Sequence, residues 1–237
     1  MMTFDEVITY FEAHAKPRNR EGMARYGIDV SNTYGLNTPD LRGLKRRIQR
    51  DHALALRLWE HGSRDARLLA AMIADPMQLS AAQADSWVAG LTSWDVCDGL
   101  CSELLARMPR ASAKALEWAA DDREFFKRAG FTVMARIAVS DRAAPDEAFE
   151  PFLAAVLAHG ADSSNFVRKA VSWALHQIGK RDEHLRRRSL ATPRSLLASG
   201  EREGRWAAMD AIRELEGEAV IRRSGAATAR RARSSKG

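Results

Sequence analysis

The sequence has little of several things, and each shortage excludes a class. Of its 237 residues only two are cysteines, Cys97 and Cys101. Two cannot build a disulfide framework or a four-ligand zinc site. No apolar run approaches the about 18 residues of a membrane-spanning helix. The beginning, MMTFDEVITYFEAHAK, has early acids and no basic stretch before an apolar core, so no secretory signal is expected. A reducing cytoplasm is the expected compartment. Alternating β-branched runs are nearly absent, which argues against sheet. There is no glycine-rich phosphate loop, no GxGxxG and no HExxH. The six histidines, at 14, 52, 61, 159, 176 and 184, show no metal-ligand spacing. Neither a metal nor a cofactor is expected.

Net charge is +6, which at first suggests nucleic acid. Its location narrows that suggestion. Residues 222–237 hold Arg222, Arg223, Arg230, Arg231, Arg233 and Lys236 and no acid, so residues 1–221 sum to zero. The stretch SGAATARRARSSKG lacks apolar periodicity, and a basic, disordered tail over 224–237 is expected. A specific DNA role would have to come from local patches on a neutral body.

Helical spacing dominates that body. Phe4, Val7, Ile8 and Phe11 fall on one face, and Leu41, Leu44 and Ile48 repeat the pattern. Thr38 is a candidate N-cap, with Pro39 at the first helical position. Further helices are expected over 64–74, 80–91, 94–107, 113–120, 123–138, 146–158, 163–179 and 203–215. Prolines 39, 76, 109 and 145 are spaced by 37, 33 and 36 residues, about one helix pair each. That period suits a HEAT-like α-solenoid. No Gly-, Ser- or Pro-rich linker interrupts residues 1–221, so one domain over 1–223 is expected.

Six tryptophans stand against three tyrosines. Trp59, Trp87, Trp118 and Trp206 lie within apolar helical patterns and are expected in the core. Cys97 and Cys101 are expected there too. Trp94 and Trp173 have different neighbours. In Ser93-Trp94-Asp95-Val96-Cys97-Asp98, Ser93 is a plausible N-cap and Asp95 suits the first turn of a helix. Asp98 lies four residues after Trp94, on the same face. A ring beside a carboxylate can receive a cationic centre. In Arg168-Lys169-Ala170-Val171-Ser172-Trp173, continuing to His176, the residues Lys169, Trp173 and His176 form a basic and aromatic stripe. Basic side chains interleaved with aromatics suit a phosphate backbone and its sugars or bases.

These segments, with Met23-Ala24-Arg25-Tyr26, Leu36-Asn37-Thr38-Pro39-Asp40-Leu41-Arg42 and Lys127-Arg128-Ala129, carry a resemblance. In this order and at these intervals, over roughly residues 4–215, the sequence resembles the DNA alkylation repair family of AlkD-like alkylpurine DNA glycosylases. The resemblance implies an all-α superhelix of HEAT-like repeats with double-stranded DNA in a concave cleft. It implies a monofunctional, monomeric enzyme that hydrolyses the N-glycosidic bond of cationic N3- and N7-alkylpurines. Asp98 matches the family's catalytic carboxylate, and Trp94 and Trp173 its two cleft tryptophans. Arg128 matches a cleft arginine near the DNA backbone and Tyr26 a cleft tyrosine. Arg168, Lys169 and His176 would face DNA from the second Trp-bearing helix. His176 stands where the family carries Arg, and a neutral imidazole is the weaker phosphate partner. The alternative is a helical-repeat protein that holds alkylated or distorted DNA without cleaving it.

Overall fold

A computed structural model describes residues 2–198 and 202–234. Among them are fourteen α-helices, two short 3₁₀ turns and no strand. No helix of the described residues is long and apolar enough to cross a membrane.

The helices begin where the sequence supplies caps. Helix α1 (Phe4–Ala13) opens on a capping box between Thr3 and Glu6 and buries Val7 and Phe11. Helix α2 (Asn19–Arg25) is short and buries none of its side chains. Helix α3 (Thr38–Ile48) buries Leu41, Leu44 and Ile48 as expected. Its cap is Asn37 rather than Thr38: the Asn37 carboxamide accepts from the Asp40 amide, and Thr38 is the first helical residue. Asp51 caps α4 (His52–His61), Ser63 caps α5 (Arg64–Ile73) and Ser80 caps α6 (Ala81–Ala89). Helix α7 (Trp94–Glu103) stops short of the expected 107, and residues 105–107 form a 3₁₀ turn.

The chain packs as two compact units, the first ending at Ala111 and the second starting at Ser112. One domain over 1–223 was the expectation. No change of composition marks the division, which follows a turn where Arg110 takes the left-handed φ of 61°. In the first unit α3 packs on α5 and α5 on α7, while α4 packs against α5 and α1. Its core includes Leu58, Leu69, Leu100, Cys97 and Cys101, with Trp59 and Trp87 stacked at 4.2 Å. Helix α7 sits tightly on α5: a Cβ added at Gly99 would lie 2.5 Å from Leu68 Cδ2.

The second unit contains all but the first residue of α8 (Ala111–Ala119), then α9 (Glu124–Ser140), α10 (Glu150–His159), α11 (Asn165–Gly179), α12 (Glu183–Ala198), α13 (Arg202–Leu215) and α14 (Glu218–Ser234). It is built in two layers. Helices α9, α11 and α13 pack in succession, as do α10, α12 and α14. Gly130 lets the α8 backbone close on α9, since a Cβ there would meet Ala119 N at 2.5 Å. Helix α12 escapes the sequence reading because it is rich in arginine and carries Pro193 internally. Trp118 is buried, whereas Trp206 on α13 is 43% exposed. The core expectation for Trp206 is therefore corrected: Ala207, Ala208, Ala211 and Leu215 provide the buried face of α13.

The tail also differs from expectation, because residues 224–234 continue α14. Alanine and arginine are strong helix formers, and Glu218 suits the positive end of the helix dipole. Ser224 is fully buried, and Thr228 Oγ1 accepts from the Glu183 amide at 3.0 Å. Residues 235–237 of the expected tail lie outside the described residues.

Candidate nucleic-acid interface

In the first unit the candidates gather at the start of α7. Trp94 and Asp98 are half-buried and one turn apart on the same face. The Trp94 indole N–H donates to the backbone carbonyl of Tyr26, the residue capping α2, at 2.9 Å. The Tyr26 side chain itself is 78% exposed. Ser93 occupies the N-cap position without a side-chain capping bond. Its hydroxyl instead donates to Asp95 Oδ1 at 2.6 Å and accepts from the Asp29 amide at 3.2 Å.

The two acids of the motif thus separate by role. Asp95 also receives Arg64 Nε at 2.6 Å, an ion pair about nine-tenths covered on both sides. It fastens α7 to α5. Behind it lies a group that sequence reasoning missed, the fully buried Asp65. Asp65 accepts from Thr33 Oγ1 at 2.6 Å and from the amides of Tyr34 and Leu36 at 2.7 and 2.9 Å. Three such donors satisfy a buried carboxylate. In sequence it reads only as a first-turn acid after the Ser63 cap, and its buried role carries no separate signal. The network joins α5, α7 and the segment between α2 and α3 into one rigid support.

In the second unit, α11 presents a solvent face of Lys169, Trp173, His176 and Lys180, with Val167, Ala170, Val171, Ala174, Leu175 and Ile178 buried behind it. Lys169 is exposed and Trp173 half-buried. Arg168 borders this face, and its Nε is buried with no hydrogen-bond partner among the described residues. The lower half of the face is tied to α13. Ser172 Oγ donates to Asp210 Oδ2 at 2.6 Å, and His176 Nε2 lies 3.2 Å from Ser172 Oγ and 3.6 Å from the Asp210 carboxylate. Lys180 pairs with Glu214 at 2.6 Å. Burial, which outweighs the pull of Asp210, holds the His176 pKa below the ordinary imidazole value. His176 thus serves as a joint between α11 and α13.

The basic pair on α9 also points inward. Arg128 is 5% exposed, and its Nη1 donates to the Phe166 carbonyl at 2.6 Å. Lys127 pairs with Asp162 at 3.0 Å, with both side chains largely covered. Together they brace the entrance to α11. Sequence reasoning expected Arg128 at a DNA backbone; here its guanidinium is packed over Phe166 and occupied by that carbonyl. Tyr26, Trp94 and Asp98 thus cluster in the first unit, while Arg128, Arg168, Lys169, Trp173 and His176 share the α9–α11–α13 layer of the second.

A sequence model of the family described as DNA alkylation repair enzyme matches residues 7–215. No curated protein sequence matches the chain. Among solved structures, one from "a new family of proteins related to the HEAT-like repeat DNA glycosylases with affinity for branched DNA structures" aligns with a TM-score of 0.72. Its identity is 22%, over 81% of this chain and 83% of that one. A designed armadillo repeat protein in complex with the peptide (KR)4 gives 17% identity over 81% and 94% of the two chains, at a TM-score of only 0.35. The first likeness identifies the two-layered helical succession as a HEAT-like repeat fold.

Proposed function

The chain belongs to the DNA alkylation repair enzyme family, and on that premise we propose that it is a monofunctional DNA glycosylase acting on cationic N3- and N7-alkylpurines in duplex DNA. The observation that carries the reading is the pairing of Trp94 and Asp98 on one face of α7, with the indole hung from the Tyr26 carbonyl. Asp95 is held by Arg64 and Ser93 in a structural role, and Asp98, on the same face as Trp94, is the acid assigned to the chemistry.

The mechanism follows from charge. An alkylpurine bearing a positive charge leaves without being protonated, so no general acid is required. As the N-glycosidic bond breaks, positive charge grows on the deoxyribose. A fixed carboxylate at Asp98 stabilises that charge and orients the water that attacks C1′. The face of Trp94, one turn from Asp98, adds cation–π attraction and excludes bulk water. Lys169 and Arg168 hold the phosphate backbone. His176, bonded toward Ser172 and Asp210 and with its pKa held down by burial, is the weaker phosphate partner of this face.

A second reading has its own support. The solved HEAT-like neighbour comes from a family with affinity for branched DNA. By that analogy the chain would bind distorted DNA without releasing a base. One experiment separates the two: mass spectrometry of bases released from methylated duplex DNA by wild type and Asp98→Asn. The expected result is release of 7-methylguanine or 3-methyladenine by wild type, reduced by about 10²-fold in the variant, the usual scale for removing one electrostatic stabiliser. Duplex binding without release by wild type would establish the second reading. Undiminished release by the variant would overturn the role of Asp98.

A further inference from the structure

The chain's net positive charge lies in residues 222–237, and part of it is built into a cavity. Helix α14 docks through Ser224 and Thr228, both hydrogen-bonded to Glu183 at the start of α12. Arg223 and Ala227, one residue before each, then form a wall of a cleft of about 570 Å³. The opposite walls come from the ends of α9 and α11: Ala138 and Val139, Arg142 just beyond them, and Gln177, Lys180 and Arg181. The lining carries four cationic side chains and no carboxylate.

Helix C-termini often gather cations without any ligand, so the charges must be weighed. Each C-terminus contributes about half a negative charge. Those of α9 and α11 together offset one cation. Glu214 offsets Lys180. Arg181 is committed to structure: it donates to the carbonyls of Ala138, Asp141 and Ala144 and lies over the Phe149 ring. Asp141, beside Arg142 in sequence, accepts from the Ala144 amide and is not part of the lining. Among the lining residues a surplus of about two positive charges remains once the helix ends and Glu214 are counted. Arg142 and Arg223 are exposed and come from different elements. Dipole compensation explains Lys180 and Arg181, but it does not explain why a helix that docks from outside brings a further arginine to the same cavity. The volume suits a ligand of nucleotide size, and the Gln177 carboxamide adds neutral donors.

We propose that this cleft is a phosphate-binding site, with Arg142 and Arg223 as its charged contacts and Lys180 and Gln177 at its edge. The source favoured here is the phosphodiester backbone of DNA, a choice that rests on the proposed function; a free phosphate compound offers the same chemistry. The full-length chain and its Arg142→Gln/Arg223→Gln double variant are titrated with unmodified duplex over a range of salt, and separately with pyrophosphate by calorimetry. Two lost backbone contacts lower the slope of log affinity against log salt by about 1.8. The Arg142→Lys/Arg223→Lys variant keeps the charge and restores most of that slope. This pair of results supports the cleft with DNA as its occupant. An unchanged slope with loss of pyrophosphate binding supports the cleft with a free phosphate compound as its occupant. Retention of both the slope and pyrophosphate binding, or no pyrophosphate binding by wild type with an unchanged slope, overturns the proposal. None of these readouts depends on base release, so a failure of the glycosylase reading would be seen separately.

Discussion

The two units fix their irregular segments with opposite chemistry. In the first, carboxylates do it by accepting: Asp65 gathers a hydroxyl and two amides from residues 33–36, and Asp95 gathers Arg64 and Ser93. In the second, arginines do it by donating: Arg181 holds the Ala138 carbonyl in the last turn of α9 and those of Asp141 and Ala144 beyond it, while Arg128 holds the Phe166 carbonyl in the first turn of α11. The difference follows from which backbone groups need partners. An extended segment crossing a helix start presents amides, which a buried acid satisfies. A helix end presents carbonyls, which a guanidinium satisfies with several donors in one plane. A consequence is that the most buried ionisable groups of both units are scaffold, while the candidates for chemistry are half-buried or exposed.

The contrast can be broken first at Asp65. Asp65→Ala leaves two amides and a hydroxyl buried without an acceptor, and should lower unfolding stability by about 3 kcal/mol or more in urea titration. Arg181→Met replaces the guanidinium over Phe149 with an apolar side chain and abandons three carbonyls near the surface. Since water can reach part of that turn, the expected loss is about 1–2 kcal/mol by the same method. A result in which Arg181→Met costs more than Asp65→Ala would reverse the ranking of the two units.

The smallest effect concerns His176. Its pKa is depressed in the folded protein, so the unfolded chain takes up a proton first as pH falls. The stability this group contributes is present above the ordinary value near 6.5 and is lost as pH falls through the lowered folded value. Thermal unfolding across that window should show a decline that His176→Gln flattens. An unaltered profile in the variant would mean that other groups set the slope.

How much was readable in advance depended on whether burial or charge did the positioning. The apolar spacing of Leu41, Leu44 and Ile48 and the cysteine pair on α7 announced themselves, because burial writes a period into sequence. The adjacency of Trp94 and Asp98 was readable for the same reason, since one helical turn relates them. Helix α12 was not, because arginines that pair with Glu150, Glu183 and Glu216 look like a solvated stretch until their partners are placed, and α14 was not, because its alanines and arginines write no apolar period. The direction of a basic side chain was hidden as well. Arg128 reads as a phosphate contact and is buried, and His176 reads as one and is a joint. Trp206 shows the converse failure: small residues beside it carry the packing and leave the ring outside.

The bond from the Trp94 indole to residue 26 runs to a main-chain oxygen. Every amino acid has that oxygen, so the bond that holds the ring does not depend on the tyrosine side chain. What the anchor cannot tolerate is a change in chain length between residues 26 and 36, where an added or missing residue would shift the oxygen itself. The spacing of that segment, more than its letters, keeps Trp94 aimed.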